Sequence, residues 1–248
     1  MPVPLWTPER LRGLREATAR AATLPELETL CAQLAQDAGF DHFVFALRLP
    51  THFAKARVVR VDGFPAGWME RYAQRDYYAV DPVMAHCAQH TLPVRWSDLP
   101  LLPGTRAQTM MKDAASFGLR EGVTMPVHSP AGELGVLSLA IDADPARVRE
   151  QTEAALPYVH VAAPHLHAAM RRIAGPPLRP RPLSPRETEC LRWAADGKTS
   201  AEIGQLLGMA ESTVNYHLNN ALKKLDVANR QQAVALAALL GLVQPKPF

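Results

Sequence analysis

The sequence predicts an α+β fold class: an N-terminal α/β/α sandwich over residues 1–174 and a C-terminal all-α domain of four helices over residues 183–248. Three observations predict it. Helical and strand patterns alternate through the first part, whereas every periodic pattern in the last part is helical. Between the two, residues 175–182 contain four prolines, which are typical of a stiff, extended linker.

The first 174 residues place helices before, between and after strands. We predict helices at 10–21, 25–38 and 105–117, helix or turn at 64–87, strands at 42–49, 55–61, 120–128 and 133–141, and a short extended stretch at 94–96. A long helix at 146–173 follows, and we expect Pro157 and Pro164 to bend or split it. This order of elements predicts a pocket between the sheet and one helical layer.

Within this part, two indoles, a phenol and a carboxylate stand in an otherwise apolar region. They are Trp68, Tyr72, Asp81 and Trp96, with Pro82 directly after the aspartate and Gly122 further on. From the residues alone, the simpler interpretation is a set of core aromatics and one helix cap, because Asp-Pro commonly starts a helix. A ligand site built from the same side chains is the alternative.

The C-terminal part opens with two capped helices. Ser184-Pro-Arg-Glu187 and Thr199-Ser-Ala-Glu202 are capping boxes, in which a hydroxyl and a carboxylate three residues later satisfy free backbone N–H groups. Gly197 is placed to end the first helix in a left-handed turn, and Gly208 to end the second. We expect the buried stripes to be Cys190, Leu191 and Ala194 in the first helix and Ile203, Leu206 and Leu207 in the second.

A third helix is predicted at 211–225, and a fourth from Arg230 to Leu240 with Asn229 as its cap. The apolar stripe of the third helix is Val214, Leu218, Ala221, Leu222 and Leu225. Its polar face has no carboxylate and comprises Ser212, Thr213, Asn215, Tyr216, Asn219, Asn220, Lys223 and Lys224. Amides pair with adenine, and Lys, Ser and Thr hold phosphates, so this face suits a DNA groove. The alternative, an ordinary solvated face, would mix in Glu and Asp.

Composition and charge narrow the function. The 248 residues, 48% of them hydrophobic, suffice for one domain of ordinary size and a small one. The net charge of +3 lies in the last part, because nine Lys or Arg and six Asp or Glu follow residue 174, whereas eighteen of each precede it. This modest excess predicts that tight DNA binding needs two copies of the module.

Several other classes of protein are disfavoured. The longest apolar stretch, at 233–243, is too short to cross a bilayer, and the N-terminus lacks the features of a signal peptide. We therefore expect a cytoplasmic protein with no membrane partner. The sequence contains no GxSxG, HExxH, P-loop or GxGxxG motif, which argues against an enzyme.

Metal and disulfide chemistry are not predicted either. Cys31, Cys87 and Cys190 lie far apart without a CxxC pair, and we expect them to be buried. His160 is five residues from the nearest other histidine in its stretch, and the pair His165-x-His167 faces opposite sides of a helix.

The C-terminal residues resemble the LuxR-type helix-turn-helix. The resemblance is carried by Leu183-Ser-Pro-Arg-Glu-Thr-Glu-Cys-Leu191, Gly197-Lys198-Thr199, Glu202-Ile203, Ser212-Thr213-Val214, His217, Lys224-Leu225 and Asn229-Arg230. Ala210 departs from the family, which often has a Ser or Thr cap there, and the lost cap costs about 1 kcal/mol. A phosphorelay response regulator shares these helices, but residues 1–60 offer no acidic pair with a phosphoacceptor aspartate.

The first part is similar to the autoinducer-binding domain of LuxR-type quorum-sensing receptors. That domain has the pattern W-x3-Y-x8-D-P, a later Trp and a Gly on the strand beyond, which Trp68, Tyr72, Asp81-Pro82, Trp96 and Gly122 match. The resemblance implies that the ligand is an N-acyl-L-homoserine lactone, and no cofactor is predicted. It implies that the indole of Trp68 donates to the lactone carbonyl. It further implies that Asp81 accepts from the amide N–H and that Tyr72 donates to the amide carbonyl.

Four further residues take roles from the same resemblance. Ser138 supports the amide carbonyl, Thr124 reaches the head group, and Trp96 packs against the lactone ring as an apolar wall. Phe64 stands where some relatives have a Tyr, which removes one hydroxyl from the site. Residues 122–138 look locally most similar to the LasR branch.

The resemblance also implies partners. They are double-stranded promoter DNA and a second copy of the chain in a homodimer, with RNA polymerase as a further candidate. The DNA-binding residues that we predict are Thr199, Ser212, Thr213, Asn215, Tyr216, Asn219, Lys223, Lys224 and Arg230. The alternative function is a LuxR-type solo regulator that answers a different small molecule; such regulators often change the Trp or Tyr of the pocket, and here both are present.

Overall fold

The structure, a computed structural model, describes residues 7–52, 55–175 and 181–245. The chain divides into two compact units, the first lying mostly before residue 176 and the second mostly after it. The first unit contains α1 (Pro8–Arg20), α2 (Leu24–Asp37), β1 (His42–His52), β2 (Lys55–Asp62), α3 (Trp68–Gln74), α4 (Pro82–Gln89), β3 (Val94–Arg95), α5 (Arg106–Ser116), β4 (Glu121–His128), β5 (Leu134–Ile141) and α6 (Pro145–Ala174). Short 3-10 helices at Tyr77–Ala79 and Trp96–Asp98 flank α4 and β3.

Over the described residues, the strands form one five-stranded sheet in the order β2-β1-β5-β4-β3. The pairs β1/β5, β4/β5 and β3/β4 are antiparallel. Ser138 of the central strand β5 lies opposite Val44 of β1 on one side and opposite Thr124 of β4 on the other. Every residue of β5 is buried, so this strand is covered on both faces.

Helices cover the two faces of the sheet. On one face, α6 packs against β4 and β5, and α1 and α2 pack against α6. On the other face, Trp68 of α3, Cys87 of α4 and Met110 of α5 share a hydrophobic core with Val136 of β5. The first unit is therefore the α/β/α sandwich that the sequence predicts.

The helix α6 runs unbroken from Pro145 to Ala174 with Pro157 and Pro164 inside it. Of the two expected effects, bending or splitting, the splitting is wrong. A proline removes one backbone hydrogen bond and crowds the preceding turn. Here the burial of Val159, Leu166 and other apolar residues of α6 against the rest of the unit offsets that cost.

The second unit is all-helical in the described residues. It contains α7 (Pro185–Ala195), α8 (Ser200–Leu207), α9 (Glu211–Leu225) and α10 (Arg230–Leu239). Both capping boxes are formed, Gly197 and Gly208 adopt left-handed backbone conformations, and Asn229 caps α10. Ala210 provides no side-chain cap for α9, as the sequence predicts.

The assignment of Leu206 to the inner face of α8 is wrong, because this side chain is 51% exposed. The buried positions are Ile203 and Gly204, with Leu207 partly buried beside them. A Cβ on Gly204 would lie 2.6 Å from the carbonyl oxygen of Met209, so α8 packs most closely along this side. At 100° per residue, Leu206 falls outside the resulting stripe.

In the part of the chain that the structure describes, no helix is both long enough and apolar enough to span a membrane. The three cysteines are buried and unpaired. Burial raises the pKa of the Cys87 thiol, which lies in the core beside α3 and α5, to about 12.

Candidate ligand cavity and nucleic-acid interface

A cavity of about 290 Å³ lies between the sheet and the layer formed by α3, α4 and α5. This is the position that the sequence predicts for a pocket. Its walls are mostly apolar, and Phe64 is one of them. The side chains with polar atoms that line it are Arg48, Arg60, Trp68, Tyr72, Tyr78, Asp81, Trp96 and Ser138.

The indole of Trp68 is held by other aromatic rings. It lies edge-on to Tyr72 with ring centroids 5.9 Å apart, stacks on Tyr77 at 6.1 Å and tilts against Phe117 at 5.5 Å. The side chain is only 3% exposed, yet its N–H has no acceptor among the described residues. Trp68 lines the cavity, and its N–H is therefore a donor that a ligand can use.

Tyr72 and Asp81 already bond to each other. The hydroxyl of Tyr72 donates to Oδ2 of Asp81 at 2.8 Å, while Oδ1 of Asp81 accepts from the backbone N–H groups of Val83 and Met84 at 2.8 and 3.2 Å. Asp81 is thus a helix cap for α4 and a cavity residue at once. Of the two interpretations that the sequence left open, the cap is observed at Oδ1, and Oδ2, bonded to Tyr72, is the oxygen that a ligand site would use.

Burial raises the pKa of Asp81 above its usual value, although the bonds from Tyr72 and from two backbone N–H groups act in the opposite direction. Burial, together with the neighbouring carboxylate, also raises the pKa of Tyr72. The phenol therefore keeps its proton and can donate, whereas Asp81 is an acceptor that gains from any further donor.

A chain of hydrogen bonds leads from Trp96 to the cavity. Nε1 of Trp96 donates to Oγ1 of Thr124 at 3.0 Å, and this hydroxyl lies 2.8 Å from Oγ of Ser138. Because Thr124 is completely buried, its proton needs an acceptor, and among the described residues Ser138 is the one within reach. Either hydroxyl of this pair can be the donor; when Thr124 donates, the Ser138 proton is left for a ligand.

Gly122 leaves room for the indole of Trp96, because it has no side chain. A Cβ on this residue would lie 2.5 Å from the carbonyl oxygen of Leu139 and 2.9 Å from Cε2 of Trp96. Glu121 fixes the same loop, because its buried carboxylate accepts from the backbone N–H of Ser97 at 3.0 Å. With its N–H turned to Thr124, Trp96 presents its ring to the cavity, as expected of an apolar wall.

Most of the predicted ligand residues meet at this cavity, and one does not. Thr124 is outside the lining and stands behind Ser138, so the structure gives it a supporting contact instead of a place at the head group. The sequence analysis missed Tyr77, whose ring backs Trp68 and whose hydroxyl donates to Asp113 at 2.6 Å. It also missed Arg48 and Arg60, which the two-residue repeat of strands β1 and β2 could have revealed.

The second unit carries a polar surface on α9. Ser212, Asn215, Tyr216, Asn219 and Lys223 are exposed on this helix, and Thr213 is partly buried. The side-chain amides of Asn215 and Asn219 and the ammonium of Lys223 have no hydrogen-bond partner among the described residues. The apolar stripe of α9 packs against the other helices, so this polar surface faces away from the core.

Three other predicted DNA-binding residues are engaged within the unit. The ammonium of Lys224 is 2.7 Å from Oε2 of the buried Glu187, and the hydroxyl of Thr199 caps α8. The guanidinium of Arg230 donates to the carbonyl of Lys198 and lies near Ser200. The structure gives these three side chains a role in holding the helices together.

A mostly apolar cavity in one unit and a helix-turn-helix with an exposed polar surface in the other are typical of one class of protein, the ligand-responsive regulators that bind DNA. Residues 23–170 match the family model described as autoinducer binding domain, and residues 181–237 match the one described as bacterial regulatory proteins, luxR family. The chain belongs to the LuxR family of autoinducer-binding transcriptional regulators, whose named members are regulators and not enzymes.

Individual relatives agree over most of the chain. The HTH-type quorum-sensing regulator RhlR of Pseudomonas aeruginosa is 35% identical over 83% of this chain and 84% of its own length. The crystal structure of Escherichia coli SdiA, 28% identical, covers 95% of this chain and 98% of its own with a TM-score of 0.75. The crystal structure of CepR2 from Burkholderia cenocepacia, titled an N-acylhomoserine lactone dependent LuxR family factor, is 30% identical and covers 67% of this chain and 96% of its own with a TM-score of 0.53. None of these three tests the local similarity of residues 122–138 to the LasR branch, which stays a prediction.

Proposed function

We propose that this protein binds an N-acyl-L-homoserine lactone in the cavity of its N-terminal domain and, as a homodimer, binds promoter DNA through α9. The domains that we propose are residues 1–174 for the ligand and 183–248 for DNA, joined by 175–182. The observation that carries the ligand assignment is the Tyr72–Asp81 hydrogen bond beside the unused N–H of Trp68.

An amide can insert into that bond. Tyr72 then donates to the amide carbonyl, and the amide N–H donates to Oδ2 of Asp81, so one hydrogen bond is replaced by two. Oδ1 stays with the backbone of α4 throughout. Because the capping bonds already hold the carboxylate, little side-chain entropy is lost when the ligand binds.

The remaining polar atoms fit the rest of the head group. The free indole N–H of Trp68 can only donate, which suits a lactone carbonyl. Ser138, whose proton is left available when Thr124 donates, adds a second donor for the amide carbonyl. The ring of Trp96 covers the lactone, and the apolar walls receive the acyl chain. No cofactor takes part.

For DNA, the bare amides of Asn215 and Asn219 are proposed to read base edges, with Ser212, Thr213, Tyr216 and Lys223 placing the helix on the backbone. The net charge of the second domain is small, so two copies reading two half-sites supply the affinity. RNA polymerase is a further proposed partner. A regulator of promoters acts where the DNA is, so we propose a cytoplasmic location.

The test is to express the protein with and without a panel of N-acyl-L-homoserine lactones and to identify any ligand that co-purifies by mass spectrometry. We expect one lactone to be retained and to raise the melting temperature and the affinity for promoter DNA together. If no lactone is retained and soluble yield does not change, the ligand assignment fails and a solo regulator that answers another small molecule takes its place.

A further inference from the structure

Two arginines line one end of the cavity. Arg48 belongs to β1 and Arg60 to β2, and each follows cavity residues of its own strand at a spacing of two: Val44 and Ala46 on β1, and Val58 on β2. Since side chains alternate between the faces of a strand, these residues share the face that looks into the cavity. Along β1 the wall is therefore apolar at Val44 and Ala46 and cationic at Arg48, whereas on β2, which runs back from the turn, Arg60 lies closer to the level of Val44 than Val58 does.

The cationic end is remote from the amide site. Val44 lies directly opposite Ser138, and Arg48 is four residues further along β1, opposite Leu134. At about 3.3 Å per residue, its Cα is roughly 13 Å from the level of Ser138. On β2, the N–H of Gly63 bonds to the carbonyl of Phe43, which fixes the position of this strand beside β1. Arg60 lies three residues from Gly63, in the direction of the hairpin turn. With the proposed lactone position at Trp96, on the β3 side of the sheet, a ligand whose amide lies at Ser138 can extend its acyl chain the other way, along β1 toward Arg48.

Of the two positive charges at this end, only that of Arg60 has a carboxylate partner among the described residues. Arg60 is 48% exposed and lies 3.5 Å from Asp62. Arg48 is partly buried and has neither a carboxylate within 4.0 Å nor a hydrogen-bond acceptor among the described residues. A wholly apolar acyl tail would remove water from this guanidinium and return nothing, whereas an oxygen on the tail would accept its hydrogen bonds.

We propose that the cavity is specific for an acyl chain that carries acceptor oxygens at its far end, a terminal carboxylate above all, and that Arg48 is the residue that recognises them. The guanidinium presents a planar fork of donors that matches a carboxylate with two parallel hydrogen bonds. This inference rests on the proposed function, because the lactone amide is what orients the chain. Arg60, shared with Asp62, supports the same charge from the neighbouring strand.

The test compares matched ligands on the full-length protein. N-octanoyl-, N-decanoyl- and N-dodecanoyl-L-homoserine lactone are each paired with an analogue whose terminal methyl is replaced by a carboxylate, and the dissociation constants are measured by calorimetry. We expect the carboxylated analogue to bind at least about tenfold tighter at one chain length, the effect of a charge-assisted bond. Tighter binding of the methyl-terminated ligand at every length would overturn the proposal.

Variants assign the effect to one side chain. Arg48→Met keeps the length of the side chain and is expected to remove the preference, and Arg48→Lys, which keeps the charge without the fork, to retain part of it. Arg57→Met is the control, because Arg57 is exposed on β2 and is not among the cavity residues. An unchanged preference in Arg48→Met, with a folded protein shown by circular dichroism, would refute the assignment; if Arg48→Met does not fold, the ratio in Arg48→Lys decides it.

A second pair of probes separates this inference from the lactone assignment. Decanedioic acid and decanoic acid have no lactone and no amide. Binding of the diacid that Arg48→Met abolishes, in a protein that binds no lactone, would support the role of Arg48 and overturn the lactone assignment. Lactone binding without any preference for a carboxylate would do the reverse, and a protein that binds none of these compounds would overturn both.

Discussion

Polar groups at the cavity of the first unit are hydrogen-bonded to one another, whereas those on the α9 surface of the second unit are exposed and have no protein partner among the described residues. In the cavity, Tyr72 is bonded to Asp81, and Thr124 links Trp96 to Ser138. On α9, Asn215 and Asn219 are exposed and have no partner among the described residues. Water satisfies an exposed amide at no cost, but a buried group needs a partner within the protein.

This difference predicts how substitutions behave in the two regions. Removing a paired and buried group leaves its partner unsatisfied, so the cost appears in the free energy of unfolding as well as in ligand binding. Removing a bare group costs only the contact that it makes with DNA. The engaged residues Lys224 and Arg230 belong to the first kind although they lie in the DNA-binding unit.

The largest expected effect is a loss of stability when Lys224 of α9 is replaced. Lys224→Met removes the partner of the buried Glu187, whose pKa is lowered: burial opposes the shift, but the Lys224 ammonium and the Ser184 N–H outweigh it. We expect a loss of about 3 kcal/mol in the free energy of unfolding, measured by urea denaturation. That stability is present above the ordinary pKa of a glutamate and is lost as pH falls through the lowered pKa.

Lys223→Met is the matched control for this comparison. The ammonium of Lys223 is bare, so the free energy of unfolding should change by no more than about 0.5 kcal/mol. DNA affinity should fall, and the slope of log K against the logarithm of the salt concentration should decrease by about one, because one fewer counterion is released. Equal stability of the two variants would show that the Lys224–Glu187 pair does not hold the unit together.

Asp81→Asn tests the hydrogen-bonded pair of Tyr72 and Asp81 at the cavity. Asparagine keeps an oxygen for the cap of α4, because Asn caps helices as well as Asp does, but places an NH₂ group where Oδ2 accepts from Tyr72 and is proposed to accept from the ligand. The charge-assisted bond, worth about 1.5 to 3 kcal/mol, is lost, so lactone affinity should fall roughly tenfold to a hundredfold. The readout is the rise in melting temperature that a saturating lactone induces.

Asp76→Asn is the control, since Asp76 is exposed and adopts a left-handed conformation that asparagine also tolerates. It should keep the full ligand-induced rise. If Asp81→Asn keeps it as well, Asp81 is a helix cap and nothing more.

Asn215→Ala and Asn219→Ala test the exposed amides of α9, which have no partner among the described residues. Each should weaken operator binding by about 1 to 3 kcal/mol, the value of a base contact, while the melting temperature and ligand retention stay unchanged. Gln231→Ala removes an exposed amide from α10 and should bind operator like the wild type. Wild-type affinity of both Asn variants across salt concentrations would mean that the reading surface lies elsewhere on the unit.

The smallest expected effect is a dependence on pH. Because burial raises the pKa of Asp81, more of the free protein carries a protonated Asp81 as the pH is lowered through that raised pKa. The amide N–H of the ligand needs the carboxylate, so lactone affinity falls with the pH. Stability without ligand changes in the opposite sense, since the raised pKa stabilises the folded protein at low pH and this contribution is lost as pH rises through it. In Asp81→Asn the pH dependence of affinity should disappear, and stability should lose the contribution of Asp81 while that of Glu187 remains. A wild-type affinity that is flat with pH would contradict the role of the carboxylate.

The features that depend on residues close together in the sequence, such as helix caps and the β4/β5 hairpin, were predicted. The caps at Ser184 and Thr199 depend on residues three positions apart, and the strand pair β4/β5 on a short turn, so the sequence alone reveals them. Leu206 was misplaced because a helix of eight residues has a narrow buried stripe, whose edge depends on the neighbour that packs on it. The unbroken α6 likewise depends on packing that outweighs a local penalty.

The site was predicted as a set of residues but not as a set of contacts. Trp68, Tyr72 and Asp81 stand out by type and spacing, yet the bond between Tyr72 and Asp81 depends on how α3 and the following 3-10 helix fold back on α4. The pairing of Lys224 with Glu187 spans 37 residues, and no periodic pattern marks it. Such contacts follow from the tertiary structure, so the sequence alone did not reveal that Lys224 also pairs with Glu187.

The two cavity tryptophans make the protein its own spectroscopic reporter. Trp68 holds an unbonded N–H in apolar surroundings, whereas the N–H of Trp96 is bonded to Thr124, so a ligand that accepts from Trp68 changes the excited state of one indole far more than that of the other. The chain has two further tryptophans, Trp193, which packs against the core of the second unit, and Trp6, which lies outside the described residues. Intrinsic emission therefore follows occupancy of the cavity without any attached label, and replacing Trp68 with Phe silences the signal that matters.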